Sequence, residues 1–535
     1  MTAKRYHVIV LGSGIESLVA AGYLGKAGLD VLVVDGAESV GGTLVTREVV
    51  PGYRFDSCLD SPGYLSPAVV ADLALAHHGL KYSLGEPLMV APRPGGPALR
   101  LSADLEATAG SLRQASPGDA DRWPAFSDRI TTLAGLLTDM YRRLPPRPGE
   151  GGVGDLMTIL RLAARVRRLG RVELMEFLRT FPMPVADLLD DWFEDDLLKG
   201  ALGVVAVRHL ALGPRSGGTA FGLLHQQVGA TAVPRGRPII SGGVGHLAWT
   251  LEVSARERGV EFRTGTGVAQ IVVTEGGTTG VVLDSGEEIP ARAVVSGYDV
   301  RRTFSDLVDP VHLDPEFAAK AARVRYRGVA AKVNLALGEL PDFTGLDATD
   351  LRGTVVLCPS LDYLERAYDH TKYGEVSDRP ALELVIPSLS DPSLAPEGDH
   401  VLSAWLHYAP FHRRDGSWGE SEREAIGDLA LRILQDAAPN MANAVVGREV
   451  LTPLDLQNRF GLTEGQVYQG EVALDQILFM RPIPGWSHYR MPVGGLYLCG
   501  PATHPGGGIT GQSGRLAARQ LVRDRKKGRG RRAWT

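Results

Sequence analysis

The stretch that most constrains this chain is "VIVLGSGIESLVAAGYL", residues 8–24. An apolar run ends in glycine, a short turn follows, and Leu18, Val19, Gly22 and Leu24 then recur at helical spacing before Gly28. That pattern is strand, turn, helix. A second β-branched run, "DVLVVD", ends in Asp35, 23 positions after Gly12. At this offset an acidic side chain accepts hydrogen bonds from an adenosine ribose, so the turn is that of a dinucleotide-binding βαβ unit. Gly12 permits the tight turn. Gly14 lets backbone approach a pyrophosphate, which then rests on helix amides at the positive end of the dipole.

Two residues of the turn depart from the glycine-rich pattern. Ser17 stands where the third glycine of G-x-G-x-x-G belongs; it adds one small hydroxymethyl group, so helix can still pack on strand with a slight outward shift. Glu16 adds a carboxylate to the first helical turn. It is expected to cap free amides or face solvent, and to point away from a pyrophosphate. Asp35 argues against a ligand with a 2′-phosphate, which it would repel. The pair Gly41–Gly42, followed by Thr43 and Arg47, indicates backbone passing close to a ligand longer than a simple nucleotide.

A chain of 535 residues with 44% hydrophobic and 22% charged residues has room for two to four globular domains. Net charge is only -5, with 57 basic and 62 acidic residues, which leaves no global footprint for nucleic acid. Cys58, Cys358 and Cys499 are the three cysteines and are hundreds of residues apart or nearly so. That excludes a C-x-x-C dithiol, a structural zinc site and a disulfide framework. No apolar window reaches the ~18 residues of a spanning helix, and the N-terminal apolar run breaks at Gly12, so a cytoplasmic protein is expected. Two basic segments admit contact with an anionic membrane: the helix pattern at 155–170, rich in Arg161, Arg165, Arg167 and Arg168, and the tail at 526–535. The simpler readings are a helix packing its apolar stripe on the core and a solvated tail. "GGVGHL" (242–247) has G-x-G spacing, but no ribose acid follows it after a strand, and the helix after it is simply amphipathic.

The far end of the chain makes a family resemblance specific. "TPLDLQNRFGLTEGQVYQGEVALDQILFMRPIPGW" (452–486) and "GLYLCGPATHPGGGITGQSGRLAARQL" (495–521) resemble the FAD-dependent carotenoid (phytoene) desaturase-like oxidoreductases. The branch that looks most similar contains the pyridine nucleotide-disulphide oxidoreductase domain-containing proteins. "LLDDWFEDDLLKGALG" (188–203), "SGGVGHLAWTLE" (241–252) and "KVNLALGELPDF" (332–343) agree as well, so the resemblance covers nearly the whole chain. The chain departs from the branch in reading "GSGIES" and "GPATHPGGG" at its two glycine turns.

The resemblance implies an α/β and α+β architecture, with a discontinuous Rossmann-like FAD-binding domain at 1–75, 236–300 and 466–525. A mixed sheet and helix substrate domain is expected at 76–235 and 301–465, with a Pro/Gly loop at 144–152. FAD is the expected cofactor, and its expected contacts are Gly12, Gly14, Ser17, Asp35, Gly41, Gly42, Thr43, Arg47, Val268, Gly500, Thr510 and Gly511. Val268 is expected to offer backbone hydrogen bonds to the adenine. A helix starting near Thr510 is expected to aim its positive end at the flavin, where negative charge develops on reduction. His504 is the expected proton handler, and its alternative role is to brace a Pro-Gly loop. Asp475 and Arg481 are second candidates, more simply an ion pair or strand-end hydrogen bonds. The expected partner is a small, largely apolar substrate that is dehydrogenated, with no metal involved. Alternatives are an oxidase or isomerase acting on a polar natural product, and a non-catalytic FAD-stabilised interaction protein. No feature of the sequence assigns an oligomeric state.

Overall fold

The apolar runs become inner strands of two seven-stranded sheets. The computed structural model describes residues 4–146, 171–275 and 277–528; the basic helix pattern at 155–170, most of the loop at 144–152 and the tail from 529 lie outside them. In the first sheet Tyr6–Leu11 is central, parallel to Val31–Val34 on one side and to Glu288–Ser296 on the other. Its residues are buried almost throughout, as a central parallel strand covered on both faces requires. Glu261–Arg263 extends the sheet beyond Val31–Val34, and Leu496–Leu498 adds in parallel to Val294–Ser296. Val268–Thr274 and Gly277–Leu283 form the antiparallel excursion. One sheet therefore draws strands from three distant stretches of sequence.

Three helices cover the glycine turn. Ile15–Lys26 follows it directly, and Gly245–Arg256 and Gln512–Lys526 pack against that helix. The last crossing is close: a Cβ added at Gly514 would lie 2.1 Å from the Glu16 carbonyl oxygen. The second glycine turn, at 242–245, is closed internally, because Val244 N–H donates to Asp56 and Gly245 N–H to the Thr46 hydroxyl.

The second sheet runs in the order Val445–Leu451, Ala330–Leu337, His400–His407, Leu382–Val385, Thr354–Leu357, Met89–Ala91, Leu99–Leu101. Ala330–Leu337 is buried at every position, yet carries Lys332 in its middle. Against this sheet pack the helices Pro117–Tyr141, Asp196–Val207 and Thr219–Gln226, around an apolar cluster that includes Trp123, Phe126, Leu198, Phe221 and Trp405. Among the described residues no helix is long and apolar enough to cross a membrane, and no cluster of His, Cys, Asp or Glu is arranged to hold a metal.

Candidate active site

One cavity of about 500 Å³ opens between the two sheets' elements. Its first wall is the glycine turn. Gly12 has φ of +76° and Gly42 of +60°, left-handed values that favour glycine. Gly14 bridges to Gly41, whose N–H donates to the Ser13 carbonyl at 2.9 Å. A Cβ on Gly14 would meet nothing within 4 Å, whereas one on Gly42 would sit 3.0 Å from the Gly14 Cα. The two turns thus lie back to back, with open space in front of Gly14. Asp35 lines the same cavity, its carboxylate accepting from the Ser13 N–H and hydroxyl, each at 2.5 Å, and from Ala37 N–H at 2.9 Å.

This cradle fits a dinucleotide of the FAD type. A bare backbone face in front of Gly14 suits a pyrophosphate, and a carboxylate fixed at the end of the second strand suits a ribose. Ser17, Thr43, Arg47 and Thr510 also line the cavity. Ser17 donates weakly to the Leu11 carbonyl at 3.4 Å, so its hydroxymethyl group is absorbed between helix and strand. Thr510 donates to the Pro62 carbonyl and, with Ile509, pairs with Tyr64–Leu65.

Val268, Gly500 and Gly511 are not among the residues that line the cavity. Val268 is buried in its strand, and the cavity is lined there by its neighbours Gly267 and Asp284 instead. Gly500 lies behind the wall, where a Cβ would come within 2.4 Å of the Gly297 carbonyl oxygen. Gly511 also lies behind it and spends its N–H on Glu16.

Glu16 is the unexpected element of the turn. It is buried, and its carboxylate accepts from the N–H groups of Gly511 (2.5 Å) and Gly514 (2.7 Å). It caps a helix, but that helix is Gln512–Lys526, not its own, and the carboxylate does not face solvent. Burial pushes its pKa up to about 7, against the pull of those amides. This is the helix expected to aim its positive end at the flavin, and two of its amino-terminal N–H groups, those of Gly511 and Gly514, are taken by the Glu16 carboxylate.

His504 does not line the cavity. It is fully buried beneath Tyr141, ring edge to face at 5.6 Å, and its Nε2 bonds the Arg143 carbonyl at 3.0 Å. Burial lowers its pKa to about 3, so it stays a neutral brace for its loop. Asp475 pairs with Arg325, while Arg481 is buried and donates to five backbone carbonyls, including Pro501, Tyr468 and Glu471. The two do not pair with each other. Cys58, Cys358 and Cys499 are all buried, with burial raising each thiol to about 12, so none is a ready nucleophile.

The inner end of the cavity holds Asp60, which the resemblance places near the flavin, and residues that no motif in the sequence marks. Asp60, Arg208, His209, Gln226, Arg235, Arg237, Trp405 and Tyr468 line it. Arg208 bonds Glu383 through two nitrogens and Gln226 Oε1 at 3.1 Å; Arg237 reaches Glu383 at 3.0 Å and also Asp60. Behind Asp60 stands Lys332, wholly buried, bonded to Asp60 through Nζ and 4.6 Å above the Trp405 ring. Burial and the nearby Arg237 hold its amine well below the usual lysine range. A signal for these residues was present. Lys332 in "VAAKVNLAL" and Glu383 in "ALELVIP" interrupt apolar strand runs, and a charge in such a run is rare unless it is paired.

Comparison with known proteins agrees with this geometry. Residues 161–522 match the family model of flavin containing amine oxidoreductases, and residues 10–60 match an NAD(P)-binding Rossmann-like domain. The chain is 33% identical to pyridine nucleotide-disulfide oxidoreductase domain-containing protein 2 of Rattus norvegicus, over 98% of this chain and 94% of that one. It is 26% identical to the zeta-carotene-forming phytoene desaturase of Myxococcus xanthus, over 94% and 90%. Cyclohexylamine oxidase from Brevibacterium oxydans shares the fold, with a TM-score of 0.60 at 17% identity, covering 98% of this chain and 100% of that one. The chain belongs to the flavin containing amine oxidoreductase family and is an FAD-dependent oxidoreductase.

Proposed function

We propose that the chain dehydrogenates a small organic molecule held at the inner end of the cavity. The carrying observation is that one cavity joins the back-to-back glycine turns to a built cluster of charged and aromatic side chains. Gly12, Gly14, Gly42, Thr43 and Arg47 would hold the pyrophosphate region, Asp35 the ribose, and Gly267 with Asp284 the adenine end. Bound FAD supplies a two-electron acceptor that takes hydride at N5. The chain's own residues then orient the substrate and receive the proton that leaves the neighbouring carbon.

Asp60 and Lys332 are suited to that proton. Asp60 lines the cavity, and its second oxygen contacts the Lys332 amine. A lysine whose pKa is lowered by burial and that is bonded to Asp60 is placed to share a proton with that carboxylate and keep it away from water. His504, enclosed outside the cavity wall, is left a structural role in this scheme.

Relatives named as phytoene desaturases favour a largely apolar substrate. The lining favours a second reading, a substrate with a polar head, because Asp60, Arg208, Arg235, Arg237 and Gln226 converge on the inner end. The test is direct. Purified protein should carry a yellow chromophore, and a true substrate should bleach it in the absence of oxygen. Lys332→Met should slow bleaching by about 10²-fold or more, as loss of a general base does, while leaving the chromophore in place. A protein that stays colourless after addition of FAD would refute the proposal.

A further inference from the structure

The charges of the inner cavity do not cancel among themselves. Arg208 and Arg237 close on Glu383 and Asp60. Arg235, from the same "PRGRP" loop as Arg237, lines the cavity but has no carboxylate partner among the described residues. Its one side-chain hydrogen bond runs from NH1 to the Val228 carbonyl at 3.1 Å. Protein packs closely around this guanidinium, and together with the nearby Arg208 this lowers its pKa to about 10. Arg235 nonetheless stays charged at neutral pH. Arg235 is half-buried at the cavity wall, and a partly desolvated cation with no counter-charge favours an anion that supplies one.

A second donor faces the same space. Tyr468, only 5% exposed, lines the cavity. Its hydroxyl oxygen accepts from Gln226 Nε2 at 2.8 Å, and Gln226 is itself fixed because its Oε1 accepts from Arg208. The chain Glu383, Arg208, Gln226, Tyr468 therefore has a fixed direction. It leaves the Tyr468 proton with no acceptor among the described residues. His209, edge-on to Tyr468 at 5.3 Å, adds a buried Nδ1 with no hydrogen-bond partner. Two donors, the Arg235 guanidinium without a counter-charge and the Tyr468 hydroxyl without an acceptor, thus line the same cavity.

We propose that Arg235 and the Tyr468 hydroxyl bind a carboxylate on the substrate, so that the molecule oxidised is an organic acid. This rests on the oxidoreductase reading above and adds the substrate's chemical class. A planar carboxylate offers two oxygens, one for the guanidinium and one for the phenol. Arg208 and Arg237 are occupied by Glu383 and Asp60, so their role is to keep the neighbouring carboxylates off Arg235.

The test uses the FAD-loaded protein and simple probes: benzoate, with benzamide, benzylamine and inorganic phosphate as controls. Binding is followed by the shift of the visible flavin bands and by the rise in Tm, and the second needs no chromophore. Benzoate should bind saturably and the three controls at least tenfold more weakly. Arg235→Met should weaken benzoate by about ten- to a hundredfold, the range for a hydrogen bond to a charged group, without loss of bound FAD. Arg235→Lys should recover part of the affinity, and Tyr468→Phe should lose a smaller factor. The proposal is overturned if benzoate gives neither signal, or if benzamide, benzylamine or phosphate binds as well as benzoate. Unchanged benzoate affinity in Arg235→Met also overturns it. So does loss of FAD from that variant, which would give the guanidinium to the cofactor. A colourless wild-type protein whose Tm still rises with benzoate would sink the oxidoreductase reading and leave the carboxylate site standing.

Discussion

At the scale of residues, Glu16 shows how one side chain can tie distant parts of the chain together. Its folded pKa of about 7 stands above the ordinary value of 4.5, and burial is the main cause. A carboxyl whose pKa is raised by folding adds stability that is complete below about pH 4.5 and is lost as pH rises through about 7. The size is about 3 kcal/mol, taking 1.36 kcal/mol per unit. Urea unfolding of wild type and Glu16→Gln across pH 4.5 to 8 should therefore show the wild-type advantage shrinking by roughly that amount; parallel curves would contradict it. The histidines act in the opposite direction. His504 and His225, lowered to about 3 and about 4 by burial, contribute stability that is present above about pH 6.5 and lost as pH falls through those values. Residue chemistry of this kind was only half legible. Gly12, Gly14 and Asp35 were readable because the turn itself demands them. The burial of His504 depends on Tyr141 and Arg143, more than three hundred positions away in sequence, and no local pattern reports that.

At the scale of elements, a close contact that bears on the cradle is the crossing of Ile15–Lys26 with Gln512–Lys526. Gly514 has no room for a side chain there, since a Cβ would lie 2.1 Å from the Glu16 carbonyl oxygen and 3.1 Å from the Ala20 nitrogen. Gly514→Val must push the helices apart and pull the Gly514 amide off Glu16. An overpacking cost of about 1–3 kcal/mol is expected, read as a lower midpoint in urea, together with weaker retention of FAD because the turn before Ile15 moves as well. Unchanged stability and unchanged FAD content would show that the crossing is looser than its geometry. The helices themselves were legible from their apolar periodicity. Their partner was not, because "GQSGRLAARQL" reads alike whether Gly514 faces a helix, a strand or solvent.

At the scale of the molecule, the two sheets meet at the cavity, and the charged residues at its inner end, with the Tyr468 phenol, come from six separated segments. Asp60, Arg208, Arg235 with Arg237, Lys332, Glu383 and Tyr468 share no motif. Long-range packing assembles them, which is why the glycine turns could be read from the sequence, while Lys332 and Glu383 showed only as charges in apolar runs and their grouping did not show at all. The expectation of a largely apolar substrate came from resemblance alone, and the charged lining now pulls against it. Because FAD would touch both the first sheet and the elements around Asp60, its binding should stabilise the whole fold. At a hundred times its Kd the gain is about 2.7 kcal/mol, which for a chain of this length raises Tm by about 2–3 °C. Gly14→Val, which fills the open space before the turn, should abolish that shift; an equal shift in the variant would place the pyrophosphate elsewhere.

The strand Leu496–Leu498 and the helix after it also set a clock on biosynthesis. Because these segments supply the last strand of the first sheet and the amides that hold Glu16, a nascent chain carries an unfinished cradle until residues 496–514 have been made. FAD capture must therefore wait for this segment rather than follow directly on the glycine turn, and until then the apolar first sheet lacks its final strand.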